Sequence, residues 1–163
     1  MRTAADIRSE LFKAIENGDV EESRRLLKED GANLDYADLG WVLRRAAFRG
    51  HADIAELALD HGADVHHEGE QTLFLALKFG HLDTARLLLD KGADAVAAAG
   101  RAQTKERAAV IGRLNEVVGN IPRDQWQALL SLYEGDLPAL VAAEAAAQRL
   151  VNRSRRPWSP PPA

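Results

Sequence analysis

The densest cluster of groups able to bind a metal or move a proton in this 163-residue chain is His66-His67-Glu68 with Glu70. Zinc needs three or four convergent ligands, and adjacent histidines do not converge without a third from elsewhere. The cluster is therefore read as part of a short loop, with no metal and no cofactor expected. His61 is given no role. His51 and His81 each follow a glycine directly, which points to a structural part in a turn. Without cysteine there is no thiolate ligand, no disulfide and no thiol nucleophile. The chain contains no GxSxG, GxxxxGK[ST], HExxH or GxGxxG pattern. Its carboxylates fall on repeating helical surfaces and form no pair in a recognisable cleft. The expectation is a non-enzyme.

The composition is that of an ordinary globular protein, 46% hydrophobic and 28% charged. No apolar run approaches the roughly 18 residues of a membrane span, and the first residues lack the apolar core of a signal peptide. A cytoplasmic location is expected on these absences. The net charge of −4 hides an asymmetry: residues 1–100 carry 12 Lys and Arg against 19 Asp and Glu, and residues 101–163 carry 9 against 6. An acidic first part argues against a phosphate-binding surface there.

The elements that must position any functional side chain are repeated. Ala46 to Asp64, AAFRGHADIAELALDHGAD, recurs from Ala76 to Asp94 as ALKFGHLDTARLLLDKGAD and more loosely from Ala14 to Asn33. Gly18, Gly50 and Gly80 recur in step with Gly31, Gly62 and Gly92. Two registers advancing together mark a helix-turn-helix repeat. Ala14, Ala46 and Ala76 let helices approach closely. The first glycine of each pair ends one helix in the left-handed conformation, and Asp19, His51 and His81 then cap or brace the turn. Leu26-Leu27, Leu57 with Leu59, and Leu87-Leu88-Leu89 face neighbouring units. A single unit cannot bury both its faces, so at least three must stack.

These residues resemble the ankyrin-repeat family. Its AAxxGHxDxxxxLLxxGAD pattern stands as Ala46-Ala47-Phe48-Arg49-Gly50-His51-Ala52-Asp53 with Gly62-Ala63-Asp64. It stands again as Ala76, Gly80-His81-Leu82-Asp83, Leu87-Leu88-Leu89 and Gly92-Ala93-Asp94. The resemblance covers about residues 11–94. The family's TPLHxA segment is nearly gone, appearing as Gln71-Thr72-Leu73-Phe74-Leu75-Ala76 and Trp41-Val42-Leu43-Arg44-Arg45-Ala46. The segments between units are short, so clipped loops are expected in place of β-hairpin fingers. The implied fold is an all-α solenoid of helix-turn-helix repeats at about 4–33, 34–64 and 65–94, with a degenerate helical C-terminal cap at about 95–151. Residues 1–151 form one domain on this reading.

Thr3 and Asp6 begin the first helix as a capping box, and the charged second helix of that unit suits a terminal repeat facing water. After Asp94 the pattern weakens. Arg107-Ala108-Ala109-Val110-Ile111-Gly112 echoes Arg45 to Gly50, whereas Val110, Ile111, Leu114, Val117 and Val118 form one stripe through Gly112. A fourth repeat and a single long helix both fit. A helix over 124–133 follows, then a Glu134-Gly135-Asp136 hinge and an alanine-rich helix from Pro138 to near Leu150. Residues 152–163, NRSRRPWSPPPA, read as a disordered tail. Trp158 within it is either inert, a docking element, or folded back on the groove.

The resemblance implies a concave face lined by loop tips and first helices. Registered on the hinge glycines, the residues that point into it are Glu16 and Asn17, Phe48 and Arg49, Lys78 and Phe79, then Tyr133 and Glu134. Each complete unit thereby offers an aromatic beside a cation, the residue types that most often dominate interface energy. The competing expectation is that Phe48 or Phe79 tucks under a neighbouring unit. Trp41 and Trp126 serve either as interior anchors or as ligand contacts. The expected function is a monomeric module that binds another protein through this face, with Phe48 and Phe79 as anchors and Arg49 and Lys78 reading acidic groups. An inhibitor or immunity-type protein that occludes an enzyme's active site is the alternative. Nucleic-acid binding through Arg153, Arg155 and Arg156 ranks third.

Overall fold

Helix starts and stops follow from local chemistry. In the computed structural model, which describes residues 2–30 and 34–132, the Thr3 side chain accepts from the Asp6 amide while Asp6 accepts from the Thr3 amide. This reciprocal cap opens α1 (Ala4–Asn17). Asp35 and Asp38 repeat the device at the start of α3 (Tyr36–Arg49). Both helices stop at a left-handed glycine, Gly18 at φ 67° and Gly50 at φ 77°, and Gly80 ends the third unit's first helix in the same conformation. The second helices are α2 (Val20–Asp30), α4 (Ala52–Asp60) and α6 (Leu82–Asp90). The first helix of the third unit is α5 (Gln71–Lys78).

Inner helices stack on inner and outer on outer: α1 on α3 on α5, and α2 on α4 on α6. Small and branched apolar side chains fill the space between the layers. Ala14, Ala46 and Ala76 are buried at the inner seam, with Leu11, Leu43 and Leu73 one turn earlier and Leu26, Leu27, Ile54, Leu88 and Leu89 opposite. The fold is all-α, and among the described residues there is no strand. The segment joining the second and third units is a series of turns. Where the next junction would hold a finger, it forms the short α7 (Ala95–Gly100), capped by Asp94. Gly31, which would close the first unit, lies outside the described residues.

Beyond α7, the helix α8 (Thr104–Glu116) runs through Gly112 without a break. It nevertheless packs on α5 as the next inner helix, and the 3-10 turn Val118–Asn120 packs on α6 in the outer layer. The two sequence alternatives therefore meet: α8 is continuous through the hinge glycine and also occupies the fourth inner position. Its stripe of Val110, Ile111, Leu114 and Val117 is buried. A last helix, α9 (Arg123–Leu132), packs on α7. Trp126 is buried there, so it is an interior anchor. The hinge at 134–136, the helix expected from Pro138 and the tail with Trp158 lie outside the described residues.

Candidate functional site

Successive inner helices bring one row of side chains together across three junctions. The Phe12 and Trp41 rings stack, with centroids 6.3 Å apart and planes 23° apart. The Arg45 guanidinium lies 5.0 Å from the Phe12 ring centre and 5.2 Å from that of Phe48. Phe48 meets Phe79 edge to face at 4.8 Å. Lys78 lies 5.6 Å from the Phe79 ring and 5.8 Å from Phe74. The result is a ladder in which Arg45 separates the Phe12–Trp41 pair from the Phe48–Phe79 pair, and Lys78 separates the latter from Phe74. Phe12 and Phe79 remain 42% and 44% exposed, so apolar rungs face solvent on either side of Arg45 and Phe48.

Two carboxylates hold the cations in place. Glu16 accepts from Arg45, with an N···O distance of 2.6 Å, and from Arg49. Lys78 pairs with Glu106 of α8 at 2.5 Å. Desolvation pushes the Glu16 carboxyl upward, but the hydrogen bonds from Arg45 and Arg49 outweigh it and leave it below the usual carboxylate range. For Glu106 the hydrogen bond from Lys78 dominates and lowers it. Both acids are therefore charged at neutral pH.

Of the residues singled out from sequence, Trp41, Glu16, Phe48, Arg49, Lys78 and Phe79 lie in this row. Phe48 and Phe79 share both expected fates, since each packs on the neighbouring unit while Phe79 stays largely exposed. Arg49 and Lys78 already hold internal carboxylates, which the sequence did not reveal. Asn17 ends α1 at an exposed position, and Tyr133 lies outside the described residues. Sequence reasoning missed Phe12, Arg45, Phe74 and Glu106. The first three lie one helical turn before Glu16, Arg49 and Lys78, so the four-residue step on the same helix face was a usable signal.

The hinges show what the histidines do. His81 Nε2 donates to the Phe48 carbonyl oxygen at 3.0 Å, across the junction between units. Neither His51 nor His81 makes a side-chain capping bond. They brace rather than cap, whereas Asp19 caps α2 by accepting from the Glu22 amide. In the fourth inner position Arg113 takes over, donating to the Leu77 carbonyl at 2.6 Å and to that of Lys78. The His66–Glu70 cluster is occupied by structural contacts. His66 pairs with buried Glu70, His67 covers Gly40, and Glu68 pairs with Arg44 at 2.6 Å. Among the described residues no group of three or more such side chains could hold a metal ion, and no helix is long and apolar enough to cross a membrane.

With stacked helix pairs, left-handed hinges and an inner face built from the first helices in view, the comparison with known proteins has a structural counterpart. The family described as ankyrin repeats, in three copies, matches residues 11–99, and the chain belongs to the ankyrin-repeat family. The 2-5A-dependent ribonuclease of Mus musculus is 41% identical over 68 residues. That match covers 40% of this chain and 9% of the ribonuclease, so the chain spans only a small part of that relative.

Proposed function

We propose that this protein is a non-catalytic module that binds another protein through the inner, concave face of its first helices. Ankyrin repeats generally mediate protein–protein interaction, and the aromatic–cation ladder from Trp41 to Phe74 is the observation that carries the assignment to this face. Its rings are held by the scaffold before any partner arrives, so little side-chain freedom is lost on binding. Half-exposed phenylalanines flanked by arginine are the side chains on which interface energy concentrates. The outer helices offer no comparable cluster among the described residues, since their exposed side chains are mainly charged.

Affinity purification from the native cell with the wild-type chain and with the Phe48→Ala/Phe79→Ala variant tests this reading. A protein retained by the wild type and lost by the variant, with the variant still cooperatively folded, is the expected result. Equal retention by both would move the binding face elsewhere.

A further inference from the structure

The acidic excess seen in the sequence is not spread evenly over the solenoid. The outer helices α2, α4 and α6 carry nine Asp and Glu against four Lys and Arg, whereas the inner helices α1, α3, α5 and α8 carry six against nine. Folding therefore separates charge into an acidic back, where Glu21, Asp53, Glu56 and Asp60 outnumber Arg24 around one shallow groove, and a basic inner face. Counting charge along the chain averages these two surfaces and conceals both. In the ladder itself three cations, Arg45, Arg49 and Lys78, share two carboxylates.

Resting on the concave-face reading, we propose that the segment bound there is an acidic peptide segment whose carboxylates replace Glu16 and Glu106 as counter-ions of Arg45, Arg49 and Lys78. The cation side chains are 30%, 42% and 37% exposed, so a partner can reach them. Ion pairs that keep one partner in contact with water contribute little net stability, so exchanging an internal carboxylate for an external one costs little. The exchange leaves the cations paired throughout, while Glu16 and Glu106 swing to water. A basic segment would have to sit beside three like charges, which complementary interfaces avoid. A nucleic acid would bring a phosphate at every step, whereas the cations here are separated by rings. A peptide can intersperse acidic and apolar side chains to match cations set between rings.

Selection of a random 12-residue phage-displayed peptide library on the full chain tests this. Clones that bind the wild type and not Phe48→Ala/Phe79→Ala are expected to carry net negative charge. The tightest of them, as a synthetic peptide, should bind a Glu16→Gln/Glu106→Gln chain at least threefold more tightly, because the internal competitors are gone while the side-chain shape is kept. The same peptide should bind Arg49→Ala/Lys78→Ala at least tenfold more weakly. Neutral or basic clones, unchanged or weaker binding to the glutamine variant, or tighter binding of a 20-nucleotide single-stranded RNA would each overturn the acidic-segment proposal and leave the concave face standing. If no clone depends on Phe48 and Phe79, the concave-face reading falls with it.

Discussion

His81 reaches back across a junction to Phe48. Its Nε2 donates to the Phe48 carbonyl oxygen at 3.0 Å, and its ring lies so close to Gly50 that a methyl group there would stand 2.4 Å from Nδ1. One side chain thus satisfies a helix-end carbonyl and fixes the residue type of the hinge beside it.

This relationship separates two glycines that look alike in sequence. Gly50 at φ 77° and Gly62 at φ 97° both adopt left-handed backbone, but nothing lies within 4 Å of a Cβ added at Gly62. Gly62→Ala should cost only the backbone term, about 1–2 kcal/mol. Gly50→Ala adds the collision and should cost about 2–4 kcal/mol. Chemical denaturation measures both. In a His81→Ala background the Gly50 penalty should fall towards that of Gly62; if it does not, the His81 ring is not the obstacle.

Arg113 performs the bracing role at the last inner position. Arg113→Ala removes donors from the Leu77 and Lys78 carbonyls, and charged hydrogen bonds of this kind contribute about 1.5–3 kcal/mol. Stability in a solenoid is a sum of neighbour terms, so the loss should appear first as faster amide exchange in α8, with α3 little changed. Arg113→His should recover part of the protection by restoring the residue used at the two earlier hinges. Uniform loss across all helices would contradict this.

Phe48 and Phe79 form an edge-to-face pair at 4.8 Å. Such pairs are coupled by about 0.5–1.5 kcal/mol beyond burial. A double-mutant cycle of Phe48→Leu and Phe79→Leu in urea should return a coupling in that range. A coupling near zero would show that the rings move independently in solution.

The hydrogen bond to Glu70 raises His66 above its ordinary value, with burial opposing it. Protonation of His66 is thus favoured in the folded state. Its stabilising contribution is complete below the unfolded value of about 6.5 and is lost as pH rises through the higher folded value. The side chain is 57% exposed, so solvent screening keeps the effect small. Thermal melts should show His66→Asn less stable than wild type near pH 6 and the gap closing by pH 9. A gap that widens with pH would reverse the assignment.

The repeats were legible because hinge glycines and seam alanines are demanded by backbone conformation and close packing, which leave the same letters at each unit. The row from Phe48 to Phe79 was legible for the same reason, since both lie near the hinge register. Phe12 was not, because it pairs with Trp41 across α1 and α3 from unlike registers, six and nine residues before their hinges. α7 escaped notice because its sequence AVAAAG is too short to display a period. Gly112 left a hinge and a continuous helix both open. It keeps the hinge letter while the helix passes straight through it, and only Arg113, in the place of a histidine, preserved the contact across the junction.

All three braces point the same way along the chain. His51 lies over Gly18, His81 holds Phe48, and Arg113 holds the end of α5. A ribosome releases the chain amino end first, so each unit emerges with its hinge carbonyls uncovered. The Phe48 carbonyl must wait 33 residues for His81. During synthesis, therefore, the newest helix pair is always the least secured, and the growing protein gains its stability one unit behind its length.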